Sequence, residues 1–89
     1  MFGKRLQELL DAELIPEAIT ELETYLRENP DDDKACYVLG RLYWKTGEKS
    51  RALACYRSAV ELNPESPARH ALELTNDIFN YYNPDLLNP

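Results

Sequence analysis

Eighty-nine residues with a formal charge of −6 and an ordinary apolar content describe one small domain rather than a disordered or multi-domain chain. The overall acidity argues against a nucleic-acid backbone as main partner, which needs a broad basic surface. No apolar run approaches the ~20 residues of a membrane-spanning helix.

The opening, "MFGKRLQELLDAE", turns acidic within two helical turns and lacks an apolar h-region, so it does not read as a secretory signal. A cytoplasmic location is the simplest expectation. Phe2, Leu6, Leu9 and Leu10 form a first apolar stripe at helical spacing. Ala18, Ile19, Leu22, Tyr25 and Leu26 form a second, after Pro16 at a position where a first helical turn tolerates it. "ENPDDD" stops that helix and supplies acidic caps for the next. Val38, Leu39, Leu42 and Tyr43 form the third stripe. "KTGEKS" follows, with Gly47 free to take positive φ and Ser50 available as a cap. Ala52, Leu53, Tyr56, Ala59 and Val60 form the fourth stripe, which "LNPESP" ends. Ala71, Leu72, Leu74, Ile78 and Phe79 suggest a fifth helix, beginning near Ser66 or Pro67 and fraying around Tyr82. No run alternates with the period of a strand, so the expected class is all-α, about five helices joined by short loops.

The charge is uneven. Residues 1–33 carry −7, residues 34–66 carry +3 and residues 67–89 carry −2. This cationic island suits a local acidic or carboxylate-bearing ligand. Cys36 and Cys55 lack the spacing of a zinc site and read as small hydrophobes. His70, the single histidine, has no nucleophile partner and reads as a cap or a partly buried packing residue. Asp31–Asp33 is a charge run before a helix N-terminus, without calcium-loop spacing. The three glycines are scattered, so no phosphate-cradling loop is present. No enzyme, cofactor or metal is expected.

Asn29–Pro30 and Asn63–Pro64 stand 34 residues apart, and at the same offset Ala18 answers Ala52, Ile19 answers Leu53, Leu22 answers Tyr56 and Leu26 answers Val60. A helix-turn-helix period of this length points to a stacked solenoid. Within it, Leu39, Gly40, Tyr43, Gly47, Ala52, Tyr56, Ala59 and Pro64 carry a motif that resembles the tetratricopeptide repeat (TPR) family at every spacing. Residues 33–66 look like one complete repeat. Residues 1–32 look like a degenerate repeat, with Leu6 where the close-packing Gly would be and Glu13 where the turn Gly would be. Those departures suggest a wider or irregular first crossing. Residues 67–82 look like a capping helix, and 83–89 like a tail. The ending "NYYNPDLLNP" is similar to that of small bacterial TPR proteins.

The resemblance implies a right-handed α-α superhelix of two helical hairpins and a C-terminal capping helix. It implies small residues at Gly40 and Ala52 where helices approach, with Tyr43 and Tyr56 filling the space between. It also implies a non-catalytic adaptor or scaffold that binds a protein or peptide in a concave groove, and the cationic island points to an acidic one. The groove positions carried over are Lys34, Tyr37, Arg41, Trp44 and Lys45, which also form one helical stripe by spacing alone. Trp44 reads either as a ligand anchor or as packing under the first or last helix, and the basic residues either as a binding face or as a solvated one. The carboxylate clamp of some members would fall on Gly3, Gln7, Val38, Ala68 and Leu72; none matches, so that mechanism is not expected. A groove of little more than one repeat predicts weak binding, and weak self-association would extend it. Tyr81, Tyr82, Leu86 and Leu87 offer a tail that docks in its own groove or a neighbour's.

Overall fold

The computed structural model describes residues 4–74. Helices α1 (Lys4–Asp11), α2 (Ile15–Glu28), α3 (Asp33–Lys45) and α4 (Lys49–Leu62) follow in order, and residues 68–74 are again helical. Among the described residues there is no strand, and the architecture is an all-α helical repeat. The tail, Ile78, Phe79 and the expected fraying point at Tyr82 lie outside the described residues.

Chain chemistry accounts for each boundary. Pro16 sits in the first turn of α2, where its missing N–H costs nothing. Asn29 closes α2: its backbone N–H and its side-chain amide both donate to the Tyr25 carbonyl, at 2.9 and 3.0 Å. Asp32 caps α3 by accepting from the Ala35 amide at 3.1 Å, and the Tyr25 hydroxyl donates to its other oxygen at 2.6 Å. Gly47 takes φ 87° in the turn between α3 and α4. Ser50 does not cap α4. The turn closes at Glu48, so the helix begins at Lys49 and Ser50 lies one residue too far along, inside it. Ser66 does cap the last helical segment, its Oγ accepting from the Ala68 amide at 3.2 Å.

The pairing of α3 with α4 is the most extensive in the molecule. Gly40 explains the close approach: a Cβ there would lie 2.6 Å from Cε1 of Tyr56 and 3.2 Å from the Ala52 carbonyl oxygen. Ala52 and its counterpart Ala18 are both fully buried, and Tyr43 and Tyr56 are nearly so. Tyr43 spans three helices. Its hydroxyl donates to Glu23 on α2 at 2.5 Å, and Arg51 on α4 lies 5.8 Å from its ring. Leu39, Leu42 and Leu22 complete the core, each buried aliphatic side chain contributing roughly 1.5–3 kcal/mol of transfer free energy.

The first hairpin carries two departures from the repeat pattern, Leu6 and Glu13. Leu6, where α3 has Gly40, is a buried core residue. Glu13 leaves the turn unaltered: it takes φ 57°, in the left-handed region that Gly47 occupies. Cys36 is buried and Cys55 half-buried, and neither is in a disulfide.

Candidate interaction surface

The strip Lys34, Tyr37, Arg41, Trp44 and Lys45 runs along one side of α3 but divides by chemistry. Lys34, Arg41 and Lys45 are exposed. Tyr37 and Trp44 are half-buried and pack against the core. The Tyr37 ring stands 6.0 Å from that of Tyr56, tilted by 39°, and Arg41 places its guanidinium 5.8 Å from the Tyr37 ring. Lys49, at the start of α4, sets its ammonium 5.2 Å from the Trp44 ring. The indole is therefore neither sealed in the core nor fully presented: one part packs, and a cation from the next helix covers another.

A cleft of ≈ 320 Å³ opens between α1 and α3. Arg41 and Lys45 line its α3 side, with Val38 and Leu42 beneath them. Gln7 and Leu10 line it from α1, and Glu13 and Ile15 from the turn and the start of α2. The structure thus brings two strip residues into this cleft; Lys34, Tyr37 and Trp44 are not part of its lining. Gln7, Leu10, Glu13 and Ile15 were not singled out by sequence as surface residues. The repeat offset contained the signal for two of them, because Gln7 stands 34 residues before Arg41 and Leu10 stands 34 before Trp44.

Electrostatics on this side follow from burial and neighbouring groups. Burial, and then the neighbouring Tyr37, push the Tyr56 hydroxyl above its ordinary pKa, while the Arg41 cation pulls the other way. Arg41 and Lys45 make no ion pair among the described residues. Three other cations do: Arg5 with Glu21 at 3.1 Å, Arg51 with Glu48 at 3.7 Å and Arg69 with Glu73 at 3.6 Å.

His70 is exposed, beside Arg69 and Glu73 in a shallow depression. The expected cap or packing role fails for a geometric reason: with Ser66 capping and helix from residue 68, Ala68, Ala71 and Leu72 turn inward and His70 turns out. Among the described residues no three His, Cys, Asp or Glu side chains gather as a metal site, and no helix is long and apolar enough to cross a membrane.

The two hairpins, their turn geometry and the small residues at their crossing agree with a family model. The model for the tetratricopeptide repeat matches residues 9–73. The chain belongs to the tetratricopeptide repeat family. TPR domains generally mediate protein–protein interaction and are generally non-catalytic. Over 57 residues, 64% of its length, this TPR chain is 36% identical to cellulose synthase operon protein C of Escherichia coli K12. It is equally similar to the putative cellulose synthase operon protein C of Escherichia coli O157:H7. The chain spans only 5% of the length of these curated relatives. Its fold is similar to the solution NMR structure of Bacteroides fragilis protein BF1650, with a TM-score of 0.79 and 42% identity, covering 96% of this chain and 87% of that one.

Proposed function

We propose that this TPR chain is a non-catalytic interaction module that binds an extended peptide or a partner protein through the concave face on which α1 and α3 lie side by side. The observation that carries this reading is the exposed Arg41 and Lys45, in no ion pair among the described residues, beside the apolar Leu10, Ile15, Val38 and Leu42 of the cleft. Lys34 adds a third exposed cation to the same strip. Tyr37 and Trp44, half-buried at its edge, supply aromatic area with few rotors to a ligand that crosses the strip. A buried Trp contact can carry ~2 kcal/mol or more where an exposed ion pair carries ~0.2–1. Affinity therefore comes from the aromatic and apolar surface, and charge selectivity from the cations.

Association costs ~4–15 kcal/mol before net affinity appears, so a face this short binds at micromolar strength or weaker. The test is affinity capture from the native host with wild type and with the Arg41→Glu/Trp44→Ala double variant. A partner held by wild type and lost by a folded double variant supports the module. A partner set that the variant leaves unchanged overturns the assignment of this face.

A further inference from the structure

The α1–α3 cleft is polarised, and its polarity names a ligand chemistry. This inference rests on the interaction-module reading and narrows it to one subsite. Leu42 is buried, and Leu10, Ile15 and Val38 are half-buried beside it, so the floor is an extension of the core that remains open to solvent. Its ≈ 320 Å³ lies near the lower end of the ~300–1,000 Å³ of ligand pockets. That is room for one branched side chain and a polar flank. Arg41 and Lys45 are one helical turn apart and share the α3 wall. Glu13, exposed on the turn, brings the opposite charge to the far end. An anion entering the cleft is drawn to α3 and repelled from the turn. Gln7 donates its amide to Asp11 at 3.1 Å, which leaves its carbonyl oxygen to accept from a ligand backbone N–H.

We propose that this cleft takes an extended acidic peptide by seating one leucine-sized side chain on Leu10, Ile15, Val38 and Leu42 while a carboxylate on the adjacent residue is held between Arg41 and Lys45. Charge complementarity selects the occupant: Arg41 and Lys45 face Glu13 as the one anionic residue of the cleft lining, so an acidic peptide is attracted where a basic one is not.

Fluorescence anisotropy with three labelled nonapeptides tests it on the full chain. One has a central Asp-Leu pair, one Asn-Leu and one Asp-Ser, all otherwise Gly and Ser. The Asp-Leu peptide is expected to bind at least five-fold more tightly than either control, with a preference that falls at high salt. Arg41→Gln and Gln7→Glu, both at exposed positions that leave the core intact, each weaken Asp-Leu binding at least three-fold. Arg57→Gln, exposed on α4, leaves it unchanged. Equal binding of the three peptides, or indifference to Arg41→Gln and Gln7→Glu, overturns the subsite. So does peptide binding that weakens as protein concentration rises, because a second copy of the chain would then fill the cleft. These failures leave the broader module reading to the host-capture experiment, whose result does not depend on these peptides.

Discussion

Glu13 and Gly47, 34 residues apart, hold the same left-handed backbone and close the same pair of hydrogen bonds. Glu13 N–H donates to Leu10 and Leu14 N–H to Leu9, at 3.1 and 2.9 Å; Gly47 N–H donates to Trp44 and Glu48 N–H to Tyr43, at 3.1 and 3.0 Å. This is the Schellman ending of a helix, which wants Gly at the left-handed residue. A glutamate there keeps the turn at a steric cost of roughly 1–2 kcal/mol.

Replacing Glu13 by Gly is accordingly expected to stabilise the fold by about 0.5–1 kcal/mol, the steric relief being partly offset by glycine's greater freedom in the unfolded chain. Gly47→Ala is expected to destabilise by about 1 kcal/mol, through the backbone alone, because an added Cβ meets nothing within 4 Å. Thermal unfolding of both variants checks the opposite signs. A fall in melting temperature for Glu13→Gly would show that the carboxylate makes a compensating interaction.

Gly40→Ala tests the crossing of α3 and α4. Its Cβ would stand 2.6 and 2.7 Å from two carbons of the Tyr56 ring, which is buried and backed by Tyr37. Overpacking of this kind costs about 1–3 kcal/mol. Urea denaturation should show that loss, and a Tyr56→Leu background should shrink it, because the ring is what the methyl strikes.

Asp32 links a cap to a tertiary contact. Burial opposes its ionised form, but the hydrogen bonds from Tyr25 and from the Ala35 and Lys34 amides outweigh it and hold the carboxyl below its ordinary 3.8. A depressed folded pKa stabilises above the unfolded value and fades as pH falls through the folded one. Asp32→Ala is expected to cost about 1–2 kcal/mol near neutral pH, and the gap from wild type should close in denaturation curves taken below pH 3.8.

The alkaline limb belongs to Cys55. Burial, then the fields of Cys36 and Glu23, push its thiol from 9.0 to about 11. A raised folded pKa contributes stability that is intact below pH 9.0 and is lost as pH rises toward about 11. Stability measured across that window should fall less in Cys55→Ala than in wild type. Tyr43, raised by burial and by its bond to Glu23, adds to the same decline above pH 10.0.

The repeat was legible because its marks are local or strictly periodic. Pro16, Asp32, Gly47 and Ser66 act within a turn of their own positions, and all four do what their chemistry prescribes. Ser50 and His70 read less well. Each is competent for a cap, and which residue caps depends on where the preceding turn closes, a matter of one residue that composition does not reveal. The surface was half legible. Spacing placed Lys34, Tyr37, Arg41, Trp44 and Lys45 on one side of α3, but not which of them a second helix would join.

By itself, the amino-acid order determined helices α1 to α4, the turns that end them and the period that stacks them, because hydrogen bonding, φ preference and apolar spacing operate over a few residues. The tertiary structure alone decided that Gln7, Leu10 and Glu13 meet Arg41 and Lys45 across a cleft while Trp44 lies half-covered beneath Lys49. The cleft joins residues about 30 positions apart in the chain, and it depends on how two helices without a direct connection come to lie beside each other.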